Sequence, residues 1–166
     1  MATVSIKELF LGEFDQEMKT TRKILERVPF DKFDWVPHTK STPLGRLANH
    51  VATLSRFVPH VIDEEKFVLV RTAPLDVHST ADIVAVFDDV AAKARALLAA
   101  TTDEHLGEGW EFVAGEKTLF KGSRAAAYRS FFMDHLIHHR AQLGVYLRLN
   151  DVPIPGSYGS SADEPM

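Results

Sequence analysis

FFMDHLIHHRAQLGVYL, residues 131–147, reads as the apolar face of a helix, yet it carries His135, His138 and His139. Phenylalanine and leucine fill such a face without the cost of burying ring nitrogens, so imidazoles there need a reason. Wound at about 100° per residue with His135 at 0°, the segment places Tyr128 and Tyr146 near +20° and Phe131 and Leu149 near −40°. Phe132 falls at about +60° and Leu143 at about +80°, so the apolar face centres near +20°. His135 and His139 (about +40°) straddle that centre, whereas His138 (about −60°) lies on its edge. Side chains at i and i+4 stack one turn apart, so the spacing predicts that His135 and His139 reach one point inside the fold.

Outward from this segment the same periodicity repeats. The stripe Ile6, Phe10, Phe14, Met18, Thr21, Leu25 and Val28 predicts a first helix that ends before Pro29. Thr42 as cap and Pro43 at the first helical position predict the start of a second, with Leu44, Leu47, Val51, Leu54 and Val58 inward. A third starts at Ser79, with Val84, Phe87, Ala91, Ala94 and Leu98 inward, and a fourth runs from a cap at Ser123 to about Asn150. FVLV (67–70), before Pro74, reads as an extended connection, and WEFVAGEKTLFKG (110–122) as a short β-hairpin with Ala-Gly at its turn. Residues 151–166 are rich in Pro, Gly and Ser and predict a coil packed over the end of the helices. The expectation is one all-α domain over residues 1–166, a four-helix bundle with a short hairpin before its last helix.

A chain of 166 residues buries roughly 70% of the surface its unfolded form exposes, enough for a core without staples. The net charge of −4 and pI near 6.0 argue against a nucleic-acid partner, which a basic face would serve. There is no cysteine, hence no disulfide, no thiolate metal site and no cysteine nucleophile. The opening MATVSIKELFLGEFDQE lacks the basic start and unbroken apolar core of a secretory signal. The most hydrophobic long stretch, residues 83–100, is interrupted by Asp88, Asp89 and Lys93 and cannot span a bilayer. A cytoplasmic protein with no membrane partner is expected.

A third inward imidazole comes from the second helix. His50, in LANHVATL, lies three residues after Leu47 and four before Leu54, on the same apolar face. One imidazole from the second helix and two from the fourth can hold a first-row divalent ion with a coordination position left open. Such an ion polarises a carbonyl or thiol, or acidifies water. The glutamate of the H-E-x-x-H protease motif is missing, because Leu136 follows His135. Gln142, at about −20°, faces inward and is placed to hydrogen-bond a ligand histidine or a bound water, or to sit as a satisfied core amide. Arg140, at about +140°, is expected to face solvent or an interface. His138 reads as a helix-edge residue or a hydrogen-bond partner of a ligand rather than a ligand itself, His38, His60, His78 and His105 as surface or boundary residues, and Trp35 as packing under the loop before the second helix. The acidic pair Asp88-Asp89 reads as a solvated helix face. No carboxylate falls at the centre of the fourth helix's inward face, since Asp134 lies at about −100°, so no general base is assigned.

Three motifs in order resemble one family. DWVPHTKSTPLGRLANHVA (34–52) is similar to its tryptophan-proline, L-x-x-H pattern, HLIHHRAQLGVYLR (135–148) to its H-x-x-H-H-R-x-Q signature, and PIPGSYGSSADEP to its tail. These resemble the DinB/YfiT-like family of metal-dependent enzymes, over nearly the whole chain. The resemblance implies a four-helix bundle, often a homodimer, with a three-histidine metal site falling on His50, His135 and His139. Nickel or zinc is the expected ion. The implied activities are a hydrolase or a low-molecular-weight-thiol-dependent S-transferase acting on a small molecule. The alternative is a non-catalytic, metal-stabilised dimeric bundle serving binding or stress response.

Overall fold

Capping chemistry sets where the helices begin. The computed structural model describes residues 4–70 and 75–165, so Pro74 lies outside the described residues. Helix α1 (Ile6–Leu25) starts at Ser5, whose hydroxyl accepts from Glu8 N–H. Asp103 reaches across to accept from the Ser5 hydroxyl and from the N–H groups of Ile6 and Lys7. A carboxylate is favoured at a helix N-terminus by the orphan donors and the dipole, and Asp103 is held below the ordinary carboxylate range, chiefly by the Lys7 N–H bond.

The second predicted helix starts one residue later than its Thr42-Pro43 signal indicates. Pro43 is the cap and makes no side-chain bond, while Leu44 and Gly45 donate to the carbonyls of Trp35 and Phe33. Loop carbonyls thus do the work expected of Thr42, which is exposed. The helix also breaks, into α2 (Leu44–Thr53), a 3₁₀ turn (Leu54–Arg56) and α3 (Phe57–Asp63). Pro59 explains the break, since it has no N–H to donate and its ring crowds the carbonyl four residues back, at Ser55 in the 3₁₀ turn.

Strand β1 (Lys66–Val68) follows, then α4 (Thr80–Ala100), capped by Ser79 as expected, and the short α5 (Asp103–Gly107). The hairpin forms as β2 (Gly109–Ala114) and β3 (Lys117–Ser123). Its two-residue turn is Gly115-Glu116, with Gly115 at φ +57°, the left-handed conformation glycine adopts without strain. The extended connection over FVLV is more than a linker. β1 pairs in parallel with β2, Phe67 opposite Phe112, making a three-stranded mixed sheet in the order β1-β2-β3. A parallel pair needs a long crossover, and α4 and α5 supply it.

The protein is therefore mostly helical with one small sheet. Helix α1 packs on α4 and α7, and α2 packs on the same two, so the four long helices enclose the core. Phe14, Leu25, Leu44, Leu47, Val51, Phe87, Leu98, Phe132 and Leu143 lie in it. Ile6 and Leu149 do not: they end their helices and are 39% and 57% exposed. No helix among the described residues is long and apolar enough to cross a membrane.

The last helix contains the largest departure from the sequence reading. After α6 (Arg124–Ala127), capped by Ser123, the chain makes a π-helical turn over Tyr128–Met133 before α7 (Asp134–Leu149). Asp134 N–H accordingly bonds to Arg129 O, five residues back. One extra residue per π turn rotates everything upstream by about 100° relative to α7. Tyr128 thereby moves from about +20° to about +120° on the wheel. That is where α7 buries Leu136, Arg140, Leu143 and Leu147. The aromatic and aliphatic stripes thus form one continuous buried face, centred well away from the +20° estimate.

The helix ends in a Schellman motif: Val152 N–H bonds to Leu147 O, Asp151 N–H to Arg148 O, and Asp151 takes φ +58°. The tail is a coil, as expected, and it is anchored. Asp163 pairs with Arg148 and accepts from Ile154 N–H, and Glu164 pairs with Lys23 and Arg27.

Candidate metal centre

Three imidazoles converge where α2 passes α7. His50 stands on the last turn of α2, and His135 and His139 on the first turns of α7. Their ring centroids lie 4.6–5.0 Å apart, and one nitrogen from each falls within 4.8 Å of the other two. His50 Nε2 and His135 Nε2 are 3.2 Å apart. His138 lies outside the group and is exposed.

The donors fit a divalent ion. Two nitrogens bound tetrahedrally to zinc at 2.0–2.1 Å stand about 3.4 Å apart, close to the His50–His135 separation. His139 brings a nitrogen within 4.8 Å of both. Its Nδ1 is 2.7 Å from Gln142 Oε1, so Nδ1 donates there and Nε2 keeps its lone pair for a ligand role. The expectation that Gln142 serves a ligand histidine agrees with this bond, although Gln142 itself is exposed and no core amide. His135 Nδ1 makes only a long 3.4 Å contact to Phe131 O.

Electrostatics keep the rings ready. Burial pushes His50 down to about 4, helped by the neighbouring His139, His135 and Arg46. Burial also lowers His135, with His139 contributing and the Phe131 carbonyl opposing. Both are neutral at pH 7, the form that ligates a metal without first releasing a proton.

The histidines sit at the edge of the buried face and not at its centre, and none is sealed from solvent. The π turn is the cause, since it swings the aromatic stripe past them. The same rotation corrects the reading of Arg140, which is not solvent-facing but 2% exposed. It pairs at 2.5 Å with Glu17 (5% exposed). Arg140 also donates to Glu17 O, Thr21 Oγ1 and the Tyr158 hydroxyl, and that hydroxyl donates to Glu17.

A cavity of about 330 Å³ opens beside His50 and His135, walled by Phe57, Phe67, Phe112 and Phe131 with Arg56 and His60. Sequence reasoning treated His60 as a boundary residue. A usable signal was present: His50, Thr53, Phe57 and His60 follow at steps of three and four, one face continued past His50. His60 Nδ1 is 2.7 Å from Glu64 Oε1, and the ring tilts over Phe67 at 4.4 Å. Side chains fix this end of α3 by taking its orphan carbonyls. Trp110 Nε1 donates to His60 O, Arg124 to Val61 O and Glu64 O, and His105 Nε2 to Ile62 O. His38 and His78 stay away from the site, and Trp35 packs edge-on against Tyr146 beside the loop before α2.

Three histidines that could hold a metal ion, set in a mostly helical domain, define the class of site, and comparison narrows the class of protein. The DinB family model matches residues 1–165, and the chain belongs to the DinB family. A DinB-like protein from Bacillus cereus ATCC 10987 has a similar structure, with a TM-score of 0.72 at 22% identity, covering 91% of this chain and 97% of that one. A DinB-like protein from Bacillus subtilis superposes with a TM-score of 0.66 at 21% identity, covering 88% and 96%. At these identities the likeness shows the fold. No curated protein matches the chain.

Proposed function

We propose that this protein is a metal-dependent enzyme acting on a small molecule, with His50, His135 and His139 as the ligands of one nickel or zinc ion. The observation that carries the reading is the convergence of three imidazole nitrogens within 4.8 Å beside a cavity lined by His50 and His135. The helices α1, α2, α4 and α6–α7 are read as the family's four-helix bundle, with the sheet as an addition to it. A divalent ion held there supplies Lewis-acid activation of a thiol or carbonyl. The chain's own contribution is to hold neutral rings, to fix the His139 tautomer through Gln142, and to shield the reacting end with phenylalanines.

Of the two chemistries, transfer from a low-molecular-weight thiol asks less of the protein than hydrolysis. A thiol of pKa about 8.5 needs little lowering to ionise at neutral pH, whereas water starts near 15.7. No carboxylate belongs to the histidine group among the described residues, which favours the substrate that needs less help from a base. The non-catalytic alternative draws on one observation, that the ligands join α2 to α7, so an ion would staple the fold. A homodimer completes the proposal, with the exposed Val145 and Leu149 offering apolar surface to a second copy; sedimentation at the 18.6 kDa chain mass at micromolar concentration rejects it.

Elemental analysis of untagged protein tests the centre. Wild type and His138→Ala should carry about one equivalent of metal per chain, and His50→Ala, His135→Ala and His139→Ala should lose it. Retention of full metal by any of those three overturns the ligand set. Chelation that abolishes thiol transfer while circular dichroism stays helical selects the enzyme; chelation that only lowers the melting temperature selects the staple.

A further inference from the structure

The cavity beside the histidines has a composition that metal binding does not explain. Phe57 is its hub, with ring centroids 5.1 Å from Phe67, 5.8 Å from Phe131 and 6.1 Å from Phe112. These rings come from α3, β1, β2 and the π turn, so the fold gathers them from four separate elements. All four are only partly buried, which leaves apolar ring surface facing the space. A core cluster of the same residues would close over itself; this one stays open around about 330 Å³, the size range of small-molecule sites.

Charge gives the second observation. Among the described residues every arginine except Arg46 and Arg56 stands in an ion pair. Arg56 lines the cavity. Arg46 sits one turn before His50 on α2. An imidazole brings no negative charge in either of its ordinary protonation states, and a divalent ion adds two positive charges. In a chain of net charge −4, this side of the cavity thus gathers two guanidinium groups outside any ion pair among the described residues, while the nearby Glu64 carboxylate is engaged by His60, an arrangement that selects anions.

We propose that the cavity binds a small molecule that joins a flat apolar body to a carboxylate or similar anionic group. The body lies against Phe57, Phe67, Phe112 and Phe131, the anion meets the Arg56 guanidinium, and the other end points to His50 and His135. His60, with Nδ1 engaged by Glu64, lines the same space. This deepens the functional reading above and rests on it only for which end reacts.

Calorimetric titration of the full chain with 3-phenylpropanoate, its neutral amide and propanoate tests the assignment. The titration is run on metal-free protein, where a carboxylate cannot bind by ligating an ion, and repeated with one equivalent of zinc. The acid should bind about tenfold tighter than the amide or propanoate, since one charge-assisted pair and the ring burial are each worth about that factor. Arg56→Gln should bring acid and amide to equal affinity, and Phe57→Ala should weaken both while keeping their ratio. Equal affinity of acid and amide in the wild type, no binding of either at millimolar concentration, or an unchanged ratio in Arg56→Gln overturns the proposal. The metal-free preference does not depend on the histidines, so a chain that binds no metal yet prefers the acid defeats the metal reading alone.

Discussion

Replacing Glu17 by glutamine should be among the most damaging single changes outside the apolar core. Glu17 and Arg140 are 5% and 2% exposed, and the carboxylate takes both the guanidinium and the Tyr158 hydroxyl. Glutamine keeps the shape and removes the charge, leaving a guanidinium buried without its counter-ion. Breaking a buried pair in this way costs about 3–5 kcal/mol, a large share of a domain's total stability. At about 2–4 °C per kcal/mol for this chain length, the melting temperature should fall by roughly 6–20 °C. The double change Glu17→Met with Arg140→Met removes both charges and should recover most of that loss, because apolar replacements of buried pairs are often neutral or stabilising. Differential scanning calorimetry and urea unfolding at pH 7 measure both variants. A Glu17→Gln loss below about 1 kcal/mol, as for a solvated surface pair, or a double variant worse than the single one, would refute the reasoning.

Three further outcomes follow from the site and its supports. Gln142→Leu deprives His139 Nδ1 of its acceptor and should weaken metal affinity about 10- to 100-fold in competition with a chromophoric chelator, without unfolding the chain. Because burial holds His50 near 4 while an unfolded histidine protonates near 6.5, the unfolded chain binds the extra proton between these values. Stability of the metal-free protein should therefore fall as pH drops from about 6.5 towards 4, and a urea midpoint that is flat over that window contradicts the assignment. Gly45→Ala would place its Cβ 2.2 Å from the Phe33 ring and should cost about 1–3 kcal/mol in urea unfolding.

How much of this was legible in the sequence depended on whether local periodicity was the deciding physics. Caps at Ser79 and Ser123, the buried stripes of α1, α2 and α4 and the stacking of His135 on His139 follow from residues a turn apart, and the hairpin follows from its glycine turn. His50, 85 residues from His135, joins the two histidines through its place on the apolar face of α2 and the family motif. What stayed hidden depended on partners distant in sequence or on a change of helical pitch. Arg140 reads as exposed until Glu17, 123 residues away, is known to face it. The capping of α2 by the Phe33 and Trp35 carbonyls leaves no side-chain trace, and β1 becomes a strand only because β2 lies beside it. The cavity joins four phenylalanines that no single period connects. Nothing in YRSFFM marks a π turn, since its residues suit either pitch.

The π turn makes its own prediction, and it separates two deletions that look alike on paper. Losing one residue from a regular core helix rotates everything beyond it by about 100°, which in α7 would carry Leu143 and Leu147 off the buried face. Deleting the exposed Ala141 should do this and unfold the protein, since each buried leucine displaced forfeits about 2–5 kcal/mol. Ser130 is also exposed, but it lies inside the segment that holds one residue more than an α-helix needs. Its removal lets Tyr128–Met133 close as ordinary α-helix, keeps Tyr128 near about +120°, and leaves the phase of α7 untouched. The Ser130 deletion should therefore fold, melt within a few degrees of wild type at about 2–4 °C per kcal/mol, and still bind metal at His135 and His139. Its cost should appear in the cavity, because Phe131 swings to a new direction as the pitch tightens. The affinity for an aromatic ligand should drop while metal content holds. If deletion of Ser130 unfolds the chain as thoroughly as deletion of Ala141, the extra residue is not what brings the two stripes into line.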